Sequence, residues 1–372
     1  PPRSTLFPYT TLFRSLTEIC WRHGFLSWFR ARLRGQCSFI LSPMALRNPP
    51  RSRRFCITLM HIGLLGLLLM TPHPAGADML TARTMQSVVA VLPAWPGQNS
   101  GQQSNRGREA PEGTAVAVLP GGYLATNAHV LGAAKSVDIR LGDGRLIAVK
   151  IIGRDPKSDL ALLKAPSEFP VLSVAAPPGL GEKVCAIGNQ FGLGLSVTCG
   201  VVSASGRTNA GFNPVEDFIQ TDAAVNPGGS GGALVDADGR LVGLVSAIFT
   251  KKSDANIGVN FAASMDLVMR VMTDLRDHGK VIAGHAGFQV GPLSADERRW
   301  LSGVKVVKVA RDGPALAEGL QAGDVIIEIG GRPVIRPSDV AAALYLHRPG
   351  DALSLRFRRG DNENGITVRL QP

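Results

Sequence analysis

Three residues, His129, Asp159 and Ser230, have the side-chain types that nucleophilic catalysis needs. A serine hydroxyl is a weak nucleophile until a neighbouring imidazole takes its proton. The imidazole in turn needs a carboxylate that holds its tautomer and stabilises the imidazolium. His129 is the only histidine between Asp78 and Asp277. A lone histidine is more often structural than catalytic, so its surroundings must decide.

The segments around these residues favour catalysis. His129 follows the apolar run 114–124, where a strand would deliver a side chain to a rim. Asp159 directly precedes a short apolar run, and Ser230 lies in the glycine-dense segment 226–232. The spacing therefore predicts a serine nucleophile, a histidine general base and an orienting aspartate.

The glycines beside Ser230 allow a tight turn that points several backbone N–H groups at one spot. We expect the N–H groups of Gly228, Gly229 and Ser230 to form an oxyanion hole. Such a site is typically worth on the order of 3–4 kcal/mol of transition-state stabilisation per donor.

The segment around Ser230 also matches the G-x-S-x-G elbow of α/β-hydrolases, in which the histidine follows the serine. The histidines downstream lie outside the unit that contains Ser230; they are His278, His285 and His347. The elbow also needs a strand–turn–helix context, whereas 234–248 has the pattern of a hairpin. The order histidine, aspartate, serine instead fits a chymotrypsin-like double barrel.

The elements that position these residues are predicted to be mainly β. Turn residues divide the apolar runs into hairpins over 137–152 and 234–248, each with an Asp-Gly turn. Short strands without intervening helices indicate a closed or sandwiched antiparallel fold. The first clear helix spans 265–278, with Ser264 as its N-cap and Gly279 at its end. A second β-rich unit follows to the C-terminus.

The net charge of +11 would suggest nucleic acid as a partner, but most of it is concentrated in one segment. Residues 1–77 hold ten arginines and one acid and so contribute +9. The remaining chain carries only +2. We therefore expect no nucleic-acid partner, and the sequence shows no metal-ligand cluster or nucleotide motif that would imply a cofactor.

Residues 44–77 have the pattern of a signal peptide, with a basic start, the apolar core 57–70 and a small-x-small exit that predicts cleavage after Ala77. The core has 14 residues, whereas a spanning helix needs about 20, so a signal anchor in the inner membrane is the less favoured alternative. Residues 1–43 precede the first methionine and are interpreted as a non-native or mistranslated leader. We expect export, to the periplasm of a bacterium.

From about Gly113 to the C-terminus the chain resembles the HtrA (Deg) family of trypsin-like serine proteases with one C-terminal PDZ domain. The matching segments are TNAHV at 126–130, SDLALLK at 158–164, AIGNQFG at 186–192, FIQTDAAVNPGGSGGAL at 218–234 and GPALAEGLQAGDVIIEIGG at 313–331. Two features depart from the family pattern. Gly229 stands where asparagine is usual, and the segment 257–264 is one residue short.

The resemblance implies His129 as general base, Asp159 as its orienter and Ser230 as nucleophile. It implies an ATP-independent endopeptidase that cleaves unfolded or damaged proteins, assembled as a homo-oligomer, with a trimer as the default. The predicted domains are an N-terminal segment and flexible loop (78–112), a chymotrypsin-like protease domain (113–264), a linker helix (265–284) and a PDZ domain (285–372). The alternative is a non-catalytic chaperone or peptide-binding scaffold that retains the fold.

In chymotrypsin-like folds the base of the primary specificity pocket lies six residues before the nucleophile, which is Ala224 here. Ser246, Ala247 and Ile248 complete the expected pocket. A lysine or arginine side chain would be buried there unpaired, at a high cost in free energy. We therefore expect cleavage after small or medium aliphatic residues.

The PDZ resemblance implies a loop that captures C-terminal carboxylates of peptides on backbone N–H groups. Its residues would be His285, Ala286, Gly287 and Phe288. The alternative is a packing module without ligand affinity, with His285 as a surface residue.

Cys185 and Cys199 flank the turn 188–194 on two candidate antiparallel strands. An oxidising compartment permits a disulfide between them. Two buried free thiols are the alternative, which we favour at this point because cross-strand disulfide geometry is often strained.

Overall fold

The computed structural model describes residues 82–94, 113–248 and 258–372, without the side chains of Ala247 and Ile248. The predicted leader (1–43) and signal peptide (44–77) lie outside the described residues, as does much of the segment 78–112. All described residues belong to one compact unit, 74–372. Within them, no helix has both the length and the apolar character needed to cross a membrane.

Six antiparallel strands form a first closed barrel, in the order β1-β2-β3-β6-β5-β4. Their bounds are β1 Val88–Ala94, β2 Gly113–Leu119, β3 Tyr123–Asn127, β4 Ser136–Arg140, β5 Leu146–Asp155 and β6 Leu160–Lys164. A short helix, α1 Ala82–Gln86, precedes β1, and another, α2 Ala128–Leu131, follows β3. The predicted hairpin over 137–152 is confirmed as β4 and β5, with Gly144 at φ 86° in its turn.

Strand β1 differs from the expectation that the protease domain begins at residue 113. It pairs with β2 on one side and with β4 on the other, for example Val88 with Val116 and Ala90 with Arg140. The barrel closes through β1, so its sheet takes in residues N-terminal to the predicted boundary.

A second closed barrel has the order β10-β11-β12-β9-β8-β7. Its strands are β7 Lys183–Gly188, β8 Ser196–Arg207, β9 Phe218–Thr221, β10 Ala233–Val235, β11 Leu241–Ile248 and β12 Asn260–Ser264. The predicted hairpin over 234–248 is confirmed as β10 and β11. The interior is filled by small and branched apolar side chains, among them Val184, Val202, Ile219 and Ala262.

The two cysteines of the second barrel are joined. Cys185 on β7 lies opposite Cys199 on β8, and the structure contains a disulfide between them. Our preference for two buried free thiols was therefore wrong. Cys185 is buried, whereas Cys199 lies on the exposed side of its strand.

Helix α3 follows the second barrel and spans Met265–His278, which confirms the predicted bounds. The Ser264 side chain accepts a hydrogen bond from the Leu267 N–H, and Gly279 ends the helix in the left-handed conformation at φ 68°. The apolar stripe of α3 is fully buried, so packing rather than intrinsic propensity holds it in place.

The C-terminal unit is a six-stranded antiparallel sheet with two short helices. Its strands are β13 Phe288–Pro292, β14 Val304–Val309, β15 Val325–Ile329, β16 Arg332–Pro333, β17 Ala352–Arg359 and β18 Asn362–Arg369, and its helices are α4 Pro314–Ala317 and α5 Pro337–Tyr345. Among the described strands, β13 pairs with β14 alone, and none of them covers its other edge.

Helix α5 also anchors the C-terminal unit to the first barrel. The Tyr345 hydroxyl donates a hydrogen bond of 2.7 Å to Asp155 Oδ2, and both residues are buried. Burial and this hydrogen bond raise the pKa of the Tyr345 hydroxyl, so it stays a donor. Arg348, just after the helix, pairs with the buried carboxylate of Asp274 on α3.

Candidate active site

His129 and Asp159 meet at the rim of the first barrel. His129 lies in α2 directly after β3, and Asp159 lies in the turn between β5 and β6. The His129 Nδ1 atom is 2.5 Å from Asp159 Oδ2, and the His129 backbone N–H donates to Asp159 Oδ1 at 2.8 Å. One carboxylate therefore fixes both the ring and the backbone of the histidine.

The turn that carries Asp159 is itself held by a carboxylate. The Ser158 hydroxyl donates to Asp155 Oδ2 at 2.5 Å, and the Asp159 carbonyl accepts from the Ala128 N–H at 3.0 Å. Asp159 has a backbone φ of 57°, which residues other than glycine rarely adopt. Strain of this kind is typical of functional positions that the surrounding structure holds in place.

Ser230 lies in the loop between β9 and β10, and its side chain is half-buried. Its Oγ donates to the Ser246 carbonyl at 3.3 Å. The described residues include no hydrogen bond between Ser230 and His129, so proton transfer requires the Ser230 side chain to turn towards the imidazole. Catalytic hydrogen bonds are often loose without substrate and tighten in the complex.

In the nucleophile loop, residues 226–232, two of the central N–H groups are occupied by hydrogen bonds to backbone carbonyls. The Gly229 N–H donates to the Asn226 carbonyl at 2.9 Å, and the Gly231 N–H donates to the Val245 carbonyl at 2.8 Å. The prediction that Gly229 supplies an oxyanion donor is therefore wrong in this conformation, because a tight turn already occupies its N–H.

The other two N–H groups, those of Gly228 and Ser230, have no acceptor among the described residues. The Pro227 carbonyl accepts from the Phe191 N–H at 2.7 Å. A peptide group is planar, with its C=O and N–H opposed, so this bond turns the Gly228 N–H away from Phe191. Two N–H donors without an acceptor in the described part of the chain, one on the serine and one two residues before it, are the arrangement that stabilises a tetrahedral oxyanion.

The described groups that bond the Ala224 carbonyl, at the predicted base of the specificity pocket, are neutral. The Ala224 carbonyl accepts from Gln190 Nε2 at 3.4 Å and from Thr198 Oγ1. Asp222, the acid nearest in sequence, is exposed and accepts from the Val201 N–H. No carboxylate is therefore among the groups bonded to Ala224.

The remaining predicted pocket residues lie on β11. The Ser246 carbonyl accepts from Ser230, and the Ser246 hydroxyl accepts from Asn127 Nδ2 at 3.1 Å, which links the pocket strand to the segment before His129. The side chains of Ala247 and Ile248 lie outside the described part of the structure.

The predicted carboxylate loop lies beside the open strand β13. The Ala286 and Gly287 carbonyls accept from the Ala315 and Ala310 N–H groups respectively, and Gly287 has a φ of 75°. His285 is exposed, and its backbone forms an antiparallel β-bridge with Gln371. Phe288, half-buried, begins β13. The loop is thus ordered by bonds to its carbonyl groups.

Sequence reasoning missed the groups that hold the nucleophile loop. Thr114 contacts the loop through its hydroxyl and its N–H, and Phe191 contacts it through its N–H. Asn260, fully buried on β12, donates to the Ala223 carbonyl at 2.9 Å, next to the predicted pocket base. A threonine in an apolar run indicates only a strand, and backbone donors carry no sequence signal.

Two antiparallel barrels with a histidine–aspartate pair and a serine at their junction, followed by a PDZ-like sheet, define a trypsin-like serine protease with a PDZ domain. The family model of the trypsin-like peptidase domain matches residues 113–244, and that of the PDZ domain matches residues 256–370. The chain belongs to the HtrA family of serine endoproteases.

Relatives and solved structures agree with this assignment. The serine endoprotease DegS of Escherichia coli (strain K12) is 34% identical over 311 residues, which cover 80% of this chain and 86% of DegS. A protein of Pseudomonas fulva (strain 12-X) named "Probable periplasmic serine endoprotease DegP-like" is 38% identical over 276 residues, 71% of this chain. The match spans 57% of that relative. The structure of the HtrA-type protease AlgW with a tripeptide aligns with a TM-score of 0.61 at 37% identity, covering 78% of this chain and 94% of AlgW.

Proposed function

We propose that the protein is an exported, ATP-independent serine endopeptidase that cleaves unfolded or damaged proteins. The observation that carries the proposal is the His129–Asp159 pair, 2.5 Å apart, together with a nucleophile loop in which two N–H groups have no acceptor among the described residues. Relatives named periplasmic serine endoproteases support the location outside the cytoplasm.

The site supports acyl transfer in two stages. The Ser230 Oγ attacks the scissile carbonyl while His129 takes its proton, and Asp159 stabilises the imidazolium. The N–H groups of Gly228 and Ser230 bind the oxyanion. His129 then gives the proton to the leaving amine, and a water molecule hydrolyses the acyl-enzyme by the same route.

The neutral surroundings of Ala224 support cleavage after small or medium aliphatic residues. The described groups that bond the Ala224 carbonyl are the amide of Gln190 and the hydroxyl of Thr198, and neither offers a basic side chain a charged partner. The buried Asn260 adds another neutral side chain beside this position, bonded to the Ala223 carbonyl. Sequencing of the products from a random peptide library tests the specificity, and cleavage mainly after lysine or arginine would overturn it.

The open edge of β13 supports a second binding function. A C-terminal peptide can add as a strand to this edge, with its carboxylate at the loop formed by Ala286 and Gly287. Titration with peptides that end in a free carboxylate or in an amide tests this role. Equal affinity for the two forms would contradict capture of the carboxylate.

A homo-oligomer, with a trimer as the default, belongs to the same proposal. It rests on the membership of the HtrA family. Sedimentation of the purified protein gives its mass directly. A monomer at micromolar concentration would contradict the proposed assembly.

One observation favours the alternative of a non-catalytic chaperone: the Ser230 hydroxyl bonds the Ser246 carbonyl rather than His129. Incubation of unfolded casein with the protein and with the Ser230→Ala variant separates the two functions. We expect the casein to be degraded only by the wild type. Degradation at the same rate by the variant, or no degradation by either protein, would overturn the proposed protease function.

A further inference from the structure

The backbone next to the nucleophile has few intrinsic conformational restrictions, although an oxyanion hole must be rigid. Gly228 and Gly229 precede Ser230 directly, and glycine restricts its own backbone less than any other residue. The family pattern has asparagine in place of Gly229. The Gly228 N–H belongs to the peptide that the Phe191 N–H holds at the Pro227 carbonyl, and the Ser230 N–H belongs to the peptide that the Gly232 N–H holds at the Gly229 carbonyl, 3.0 Å away. A middle peptide, made of the Gly228 carbonyl and the Gly229 N–H, joins these two.

Thr114, at the start of β2, holds this middle peptide and also the peptide that follows Ser230. Its Oγ1 donates to the Gly228 carbonyl at 2.6 Å, and its N–H donates to the Ser230 carbonyl at 2.9 Å. The same Oγ1 accepts from the Asn189 N–H at 2.9 Å, while the Thr114 carbonyl accepts from the Thr126 hydroxyl at 2.7 Å. Thr114 is fully buried.

The roles within this cluster follow from the atoms. The Asn189 N–H can only donate, so it occupies a lone pair of the Thr114 oxygen, and the single hydroxyl proton is left for the Gly228 carbonyl. Because the site is sealed from solvent, no bulk water replaces the hydroxyl when it is removed. The hydrogen bond between the Asn189 N–H and the Thr114 hydroxyl also joins the first barrel to the loop 189–194. The same loop holds the Pro227 carbonyl through the Phe191 N–H.

We propose that the Thr114 hydroxyl is a positioning residue for the oxyanion hole, and that it compensates for the Gly228–Gly229 pair. The inference rests on the proposed protease function. The hydroxyl holds the carbonyl end of the peptide between the two oxyanion donors, and the Asn226 carbonyl holds its N–H end. Loss of the hydroxyl leaves this peptide held at one end only, so it can turn. The donors then miss the oxyanion, while the substrate's ground-state contacts stay in place.

The test compares Thr114→Val, which keeps the shape, with Thr114→Ser, which keeps the hydroxyl. With labelled casein as substrate we expect Thr114→Val to lower kcat by about 10–100-fold with KM changed less than about 3-fold, since a misplaced donor costs up to what a deleted one does. Thr114→Ser should restore kcat to within about 3-fold. Thr273→Val, which removes a hydroxyl bonded to Met269 in α3, is the matched control and should leave kcat unchanged.

A second background distinguishes positioning from folding. Gly229→Ala restricts the loop, so the loss caused by Thr114→Val should be at least about 3-fold smaller in that background. If Thr114→Val does not fold, Thr114→Ala is measured in its place, with activity expressed per folded molecule. Full kcat in the hydroxyl-free variant, or an equal loss in both backgrounds, overturns the inference. An inactive wild type overturns the proposed function and the inference with it.

Discussion

Asp159 holds His129 at two points, with Oδ2 2.5 Å from the ring Nδ1 and Oδ1 2.8 Å from the backbone nitrogen. The second contact explains why α2 begins where it does, because the carboxylate satisfies a free N–H in the first turn of a very short helix. Orientation of the imidazole and the start of the helix thus depend on one side chain.

Asp159→Asn tests this relationship. The amide keeps the shape but cannot stabilise an imidazolium, and it favours the wrong tautomer of His129. We expect kcat to fall by about 10⁴-fold with little change in KM. Asp143→Asn, which alters an exposed aspartate paired with Arg145, is the control and should be fully active. Retention of a tenth of the activity by Asp159→Asn would contradict the role.

Two neighbouring glycines should respond differently to alanine. Gly231 has a φ of 83°, and a Cβ there would lie 2.0 Å from the Thr114 carbonyl oxygen. Gly229 has no positive φ, and its Cβ would lie 3.0 Å from the Asn226 oxygen. We expect Gly231→Ala to lower the free energy of unfolding by at least about 3 kcal/mol and Gly229→Ala to change it by less than about 1 kcal/mol. Urea unfolding measures both, and equal effects would show that the loop differs from this description.

The disulfide gives a chemical prediction. Peptide mapping under non-reducing conditions should recover the peptides of Cys185 and Cys199 as one linked species that separates with reductant. The bridge closes a short loop across 14 residues, so the double variant Cys185→Ser/Cys199→Ser should lose about 3 kcal/mol of unfolding free energy. Recovery of both peptides with alkylated thiols before reduction would show the bond to be absent.

Asp274 gives a pH dependence. Burial opposes its ionisation, but hydrogen bonds from Arg270, the Ile282 N–H and Arg348 outweigh burial and hold the pKa of this carboxyl below its ordinary value. A depressed pKa means that the stabilisation is fully present above the ordinary value of about 4 and is lost as the pH falls through the lower folded-state value.

The matching variant is Asp274→Asn, which leaves the buried Arg270 without its partner. We expect the variant to lose about 3 kcal/mol of unfolding free energy near neutral pH. The difference in unfolding free energy between the variant and the wild type, called the gap, should close only below about pH 4. Asp277→Asn, at an exposed pair with Arg276, serves as the control and should follow the wild-type curve. A gap that stays constant down to pH 2 would show that ionisation of Asp274 is not its source.

Much of the fold was predictable because its signals are local. Short apolar runs divided by Asp-Gly turns predicted the two hairpins, and Ser264 and Gly279 marked the ends of α3. Strand β1 was missed as part of the barrel because a polar segment separates it from β2, and only pairing across the barrel reveals its place.

The site was predictable to the level of residue types and not of individual bonds. His129, Asp159 and Ser230 follow from chemistry and chain order. The bond that occupies the Gly229 N–H and the donors from Phe191 and Thr114 are set by tertiary contacts, which a linear pattern does not encode. The pattern placed Cys185 and Cys199 on paired strands, but whether the two sulfurs bond depends on their geometry in the fold.

Covalent labelling of Ser230 tests the central claim most directly. In the reaction with diisopropyl fluorophosphate the Ser230 oxygen bonds to phosphorus, fluoride leaves, and His129 takes the hydroxyl proton. We expect stoichiometric labelling, mapped by mass spectrometry to the peptide that contains Ser230 and abolished in Ser230→Ala. Labelling in His129→Ala should be slower by at least about 10²-fold. An unlabelled Ser230 in folded protein, or equal labelling of Ser230→Ala, would contradict the account.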